Sequence, residues 1–271
     1  MSTINNLDIY TQRMSKGIED KISFYENLLD NENIYFFIDF GCGDGSLIRY
    51  LAQKHPLIRF IGYDNSLEMI KLAKENTKNN HNVFLYSDFE TLIKKVSNVK
   101  GNHSILNFSS VMHEVLSYST PEKLKEFWDN IGYLINQGYV NYITFRDMCT
   151  DDAYQNIETP WDILHKIHRC ASESQIKDFE SVWGSLNIYH NAIHFLLKYR
   201  YVENWERENN ENYLVIPSAT AIQNAFLDMC VWPAEVIYSE HYTLPYLKET
   251  IKEDFDFNLN IPTHLKFILE V

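Results

Sequence analysis

Few of the 271 residues are of the types that mark a special-purpose chain: four are cysteine, nine glycine and seven proline. Cys42, Cys149, Cys170 and Cys230 make no C-x-x-C pair. A disulfide framework and a thiolate zinc site are therefore not expected, and a reducing, cytoplasmic setting is. So little glycine and proline, with no repeated tract, excludes the collagenous, linker-rich and disordered classes. Long hydrophobic runs are also missing. The densest early one, Tyr35 to Ile38, is far too short for a bilayer, and Met1 to Tyr10 lacks a basic-then-apolar leader pattern. Neither secretion nor membrane insertion is expected. Positive charge is scarce as well: 24 Lys and Arg stand against 37 Asp and Glu, a net charge of -13. Residues 1–148 carry -3, residues 149–216 carry -5 and residues 217–271 carry -5. Such a surface repels a phosphate backbone except where a local basic stripe overrides it.

What is abundant is apolar and aromatic, 45% and 14% of the chain, enough for one well-packed domain with an insertion. Ile18, Ile22, Tyr25, Leu28 and Leu29 recur at spacings of three and four, which predicts an amphipathic helix over 10–29. The period then shortens. Continuous apolar runs predict buried strands over 34–40, 59–63, 82–85, 104–109 and 139–145, alternating with helices over 46–54, 66–76, 89–96 and 121–136. That alternation means βαβ units and a doubly wound, mostly parallel sheet. From 149 to 216 the strand signal vanishes and helical stripes take over, for example Tyr189, Ile193, Leu196, Leu197 and Arg200. A helix over 218–229, a strand over 235–242, a helix over 246–255 and a strand over 264–271 complete a seven-stranded sheet. The expected organisation is an α/β core, 1–148 with 217–271, interrupted by a helical cap, 149–216.

The first strand runs into Asp39-Phe40-Gly41-Cys42-Gly43-Asp44-Gly45. Glycine lets the backbone turn tightly and lets a ligand approach the main chain. A dinucleotide fingerprint is G-x-G-x-x-G, whereas the third glycine here comes one residue early and two carboxylates flank the turn. Those charges disfavour a pyrophosphate and favour a cationic ligand. The second strand ends at Asp64, placed to accept from ribose hydroxyls, and the third at Asp88, placed to accept from an adenine amino group.

In this order the motifs resemble the class I, Rossmann-like S-adenosylmethionine-dependent methyltransferases, over residues 34–148 and 218–271. The resemblance implies S-adenosylmethionine as cofactor. It assigns Asp39, Gly41, Cys42, Gly43 and Gly45 to the glycine turn, Asp64 and Asn65 to the ribose, and Asp88 and Phe89 to the adenine. Asn107 and Ser109, at the end of the fourth strand, would lie beside the sulfonium.

The turn after that strand carries His113 and Glu114, and the fifth strand ends in Arg146-Asp147. His113 is the best base if the acceptor must lose a proton, with a structural role as its alternative; Glu114 would orient it or bind substrate. Arg146 would bind a substrate carboxylate or pair with Asp147. Lys21, on the first helix, could fold over the cofactor, as could Tyr10, Met14 and Lys16. His165 with His168, and His190 with His194, share helix faces but lack a third ligand, so no metal is expected.

The expected function is methyl transfer to a small molecule, neutral or cationic given the acidity of 149–216. The alternatives are an RNA or nucleotide methyltransferase that uses Lys198 and Arg200 locally, and a cofactor-binding interaction module without turnover.

Overall fold

Seven strands form one sheet: β1 (Phe36–Phe40), β2 (Arg59–Tyr63), β3 (Val83–Tyr86), β4 (Ser104–Ser109), β5 (Tyr142–Met148), β6 (Glu235–Tyr242) and β7 (His264–Glu270). Their order is β3-β2-β1-β4-β5-β7-β6. β1 to β5 are parallel, and β7 lies antiparallel between β5 and β6. This computed structural model describes residues 17–31, 33–97 and 103–271.

Strands β1, β4 and β5 are buried almost throughout, as the unbroken apolar runs require when helices cover both faces. On one face Phe145 stacks on Phe267 at 4.6 Å, and Ile131, Leu134 and Phe226 close over them. On the other, Ile22, Tyr25 and Leu29 pack against Phe37, Phe60 and Ile105. Helix starts are written locally. The side chains of Ser66, Asp88, Thr120 and Ser218 each accept a hydrogen bond from a first-turn backbone N–H, and Pro121 follows Thr120 where a missing N–H costs nothing.

Three expectations shift. The described part of the helix expected over 10–29 is two short helices, Ile18–Ile22 and Glu26–Asn31, with a break that turns Tyr25 inward against Phe37. Tyr10, Met14 and Lys16 lie outside the described residues. The fifth strand begins at Tyr142 rather than 139, because Gly138, at φ 70°, ends the preceding helix and Tyr139 N–H donates back to Leu134. Arg146 and Asp147 thus lie within β5. A helix over Met112–Tyr118, absent from the sequence reading, places His113 and Glu114 in its first turn.

Residues 149–216 hold the helices Trp161–Cys170, Glu173–Trp183, Tyr189–Lys198 and Trp205–Asn210. Their buried face forms its own cluster, in which Phe179, Ile193, Phe195 and Leu196 join Leu247, Ile251 and Phe255 of the helix Pro245–Phe255. These helices therefore pack on the helix Pro245–Phe255.

Candidate active site

The glycine turn sits at the carboxyl ends of β1 and β2, where ligands of open α/β sheets bind. Gly41, Gly43 and Gly45 have φ of 76°, 53° and 74°, the left-handed region that side chains disfavour. A methyl on Gly41 would also collide with Val111, which approaches from β4. Gly41 and Cys42 donate their N–H groups to Tyr63 O, each at 2.8 Å, which pins the turn to β2. Asp44 closes the next step, accepting from Ser46 N–H at 3.0 Å and Ser46 Oγ at 2.8 Å.

Asp64 binds the turn across the strands. One carboxylate oxygen accepts from Gly43 N–H at 2.9 Å and the other from Ser66 N–H at 2.9 Å. Burial raises its pKa, and these two bonds oppose the rise. Asp88 is exposed and caps the next helix through Thr91 N–H at 2.7 Å, a bond that lowers its pKa. Phe89 lies half-buried against Tyr63 at 5.1 Å and Phe40 at 5.5 Å, and Asn65 is exposed.

Asp39, Asn107 and Thr144 stand in register on β1, β4 and β5 and form a lateral chain. Thr144 Oγ1 donates to Asn107 Oδ1 at 2.8 Å, and Asn107 Nδ2 donates to Asp39 Oδ1 at 2.7 Å. Burial pushes the Asp39 carboxyl up to about 7, against the Asn107 bond and the attraction of Lys21. Lys21, half-buried, is itself lowered to about 8 by burial and by the charge of Arg146.

His113 is buried between two carboxylates. Its Nδ1 is 2.7 Å from Asp147 Oδ1 and its Nε2 is 3.0 Å from Glu211 Oε1. Burial disfavours the charged ring, but Asp147 and then Glu211 outweigh it, so the imidazole titrates well above its usual range. With both nitrogens engaged and the ring cationic, His113 is not disposed as a free base. Glu114 differs: burial and the nearby Glu211 push it up to about 7, although Arg207 donates to it at 3.2 Å. Arg207 also lies 2.8 Å from Glu208 and 3.5 Å from Glu211. His113, Glu114 and Glu211 offer ligand atoms within 4.8 Å of one another, and the cation among them is the chain's own Arg207.

Asp147 pairs with His113 and not with its neighbour Arg146. Arg146, 4% exposed, donates from Nη1 to Ser110 Oγ at 2.7 Å, and Ser110 holds φ 55° to receive it. The other weighed residues serve packing. His165 stacks on Trp161, and His194 Nε2 accepts from Tyr213 N–H at 3.2 Å. Lys198 is fully buried and donates to Glu208 O at 2.9 Å and Glu211 O at 2.7 Å, while Arg200 is bound by Asp254 at 2.7 Å. Of the two cations in that run, Lys198 is thus turned inward and Arg200, exposed, is bound by Asp254. The sequence does not single out Glu211, Arg207 or Ser110, and it offers Asp147 only as a pair for Arg146. Nothing local marks Glu211 and Arg207 among the acidic residues after 200; only the return of that loop to the helix Met112–Tyr118 does.

Residues 37–138 match a family described as methyltransferase domain. No protein of curated function matches the chain. Among solved structures it is similar to the plantazolicin methyltransferase BamL, solved with a triazolic desmethylPZN analog and SAH. The TM-score is 0.52 at 15% identity, covering 97% of this chain and 88% of that one. The methyltransferase domain of bacterial CtHen1 gives 0.50 at 11% identity, covering 93% of this chain and 98% of that one. At these identities the likeness is one of fold. Residues 37–138 thus carry a match to a methyltransferase domain, set in a seven-stranded, mostly parallel sheet of Rossmann-like order.

Proposed function

We propose that the carboxyl edge of β1 to β5 binds S-adenosylmethionine and that the chain transfers its methyl group to a small-molecule acceptor. The observation that carries the reading is the tie between Asp64 and the glycine turn. Each Asp64 oxygen accepts one backbone N–H. A carboxylate has about four acceptor positions, so about two remain for the hydroxyls of a ribose. The same bonds fix the course of Gly41 to Gly45, a turn whose positive φ values side chains disfavour. Cys42 lies within that turn, and Asp39, steadied by Asn107, puts an acid beside it. Asp88 and Phe89, with Asn65 before them, would flank the adenine. BamL, of the same fold, was solved with SAH, which supports the same cofactor class here.

Bound S-adenosylmethionine supplies a methyl group on a sulfonium, and the displacement needs alignment and dryness more than acid or base. The residues of this chain divide that work. His113, cationic and fixed by Asp147 and Glu211, positions the inserted segment over the edge and is not the base. Glu114, with a carboxyl near 7, takes the proton from an acceptor that must lose one. Residues 149–216 act as the cap that selects the acceptor, and their net charge of -5 favours a neutral or cationic body.

The test is release of S-adenosylhomocysteine from S-adenosylmethionine in the presence of small amines, phenols and acids, with a structured RNA as competing acceptor. Release with a small acceptor supports the reading. Release with RNA alone, falling steeply with salt, would place the chain among RNA methyltransferases. Tight cofactor binding without release from any acceptor would favour a binding module.

A further inference from the structure

We propose that Arg146 is the anchor for a carboxylate of the acceptor, an inference that rests on the methyl-transfer reading of the same edge. Alternate residues of a strand share a face, so Arg146 stands one tier above Thr144, beside Ser109 on β4. The lower tier, Thr144, Asn107 and Asp39, is hydrogen-bonded within itself. The upper tier is not. Arg146 Nε and Ser109 Oγ are buried without a hydrogen-bond partner, and so is the hydroxyl of Tyr25.

These groups surround one charge. Arg146 is among the charges that act on Tyr25, and its guanidinium faces Tyr242 closely enough to offset part of the burial of that hydroxyl. Among the described residues no carboxylate lies within ion-pair distance of Arg146, whereas the next residue, Asp147, is committed to His113. Buried polar groups are ordinarily paired, and a guanidinium all the more so. The free edge of the fork, Nε beside the Nη groups, matches the two oxygens of a carboxylate. Ser110, a non-glycine residue in the left-handed region, fixes that fork: its Oγ accepts from Nη1, and its own N–H donates to Arg146 O at 2.7 Å. Strain of this kind is held where a geometry must be kept. Ser110, which receives Nη1, is itself exposed at the carboxyl edge of the sheet.

The acceptor is the better source of the carboxylate than the cofactor. Arg146 is on β5, two strand spacings, about 10 Å, from β1 and its glycine turn. A cavity of about 410 Å³, lined by Asp20, Ser23, Glu240, Tyr242, Lys248 and Lys266 among others, gives an acceptor body room. An acceptor with one carboxylate and a neutral or cationic remainder suits both this anchor and the acidic cap.

The test uses the full chain loaded with S-adenosylhomocysteine and formate as the probe, the smallest carboxylate, against chloride at equal ionic strength. Saturable thermal stabilisation by formate is expected in the wild type. It should weaken severalfold in Arg146→Lys and vanish in Arg146→Gln, with S-adenosylhomocysteine affinity within threefold throughout. Ser110→Gly, which relieves the backbone and removes the hydroxyl that holds the fork, should stay folded and weaken formate severalfold, so the test survives if Arg146→Gln does not fold. A formate effect equal to that of chloride, or one that persists in Arg146→Gln, overturns the anchor. A tenfold loss of S-adenosylhomocysteine affinity in Arg146→Gln also overturns it, assigning Arg146 to the cofactor. A wild-type chain that binds no S-adenosylhomocysteine fails the earlier reading instead, and the formate arms are then read on the unloaded protein.

Discussion

His113 Nε2 lies 3.0 Å from Glu211 Oε1, and through that contact the helix after β4 meets the residue that ends the helix Trp205–Asn210. Asp147 holds the other ring nitrogen at 2.7 Å. Removing the ring leaves two buried carboxylates facing each other, and breaking a buried ion pair from one side costs roughly 3–5 kcal/mol. His113→Ala is expected to lose stability on that scale in urea unfolding. A loss below about 1 kcal/mol would show that the triad holds nothing together. Because the folded-state pKa of His113 is raised, its contribution is complete below the unfolded value near 6.5 and declines as pH climbs through the folded value. The gap between wild type and His113→Gln should narrow in the same direction.

Glu114 titrates near 7, pushed there by burial and by Glu211. If it takes a proton from the acceptor, kcat/KM rises with pH through about 7 and then levels. Glu114→Gln should abolish that limb and lower kcat by roughly 10²–10⁴-fold, with cofactor affinity kept. An unchanged limb in the variant would remove Glu114 from the chemistry.

Asp39 gives a trade between stability and binding. Its carboxyl is raised to about 7, so between its ordinary value near 3.8 and about 7 the folded chain binds more protons than the unfolded one. Its contribution therefore makes stability fall as pH rises across that window. Asp39→Asn should flatten this slope and gain stability at pH 8 relative to wild type, while weakening S-adenosylhomocysteine. Denaturant midpoints at pH 5 and pH 8 read the first effect and calorimetry the second; equal slopes would refute the assignment.

Gly41→Ala combines a φ of 76° with a collision against Val111. The expected loss is about 1–3 kcal/mol. Val111→Ala in the same chain should recover part of it, since it removes the collision but not the backbone strain. A double variant no more stable than the single one would place the whole cost in the backbone.

The sheet and the glycine turn were legible because they are written locally. The apolar runs mark the first five strands and the resumed alternation of helix and strand the last two, and Asp39, Asp64 and Asp88 stand at the ends of the first three. What the sequence hid depends on long-range return. Glu211 and Arg207 look like members of a solvated acidic stretch, and only the fold shows them buried against Glu114 and His113. Asp147 was paired by adjacency with Arg146, yet successive strand residues point to opposite faces, which sends Asp147 to His113 and Arg146 to Ser110. Lys198 reads as a surface cation within a basic, aromatic run, but the backbone carbonyls of Glu208 and Glu211 hold it inside, where burial lowers its pKa to about 7 against the charges of Glu211 and Glu208.

The most direct trial of the account is a calorimetric titration of the full chain with S-adenosylhomocysteine and, separately, with a nicotinamide dinucleotide, in wild type and Asp64→Ala. The account predicts saturable binding of the thioether nucleoside, at least tenfold weaker in the variant, and none of the dinucleotide. Binding of the dinucleotide with no response to S-adenosylhomocysteine at millimolar concentration would contradict it.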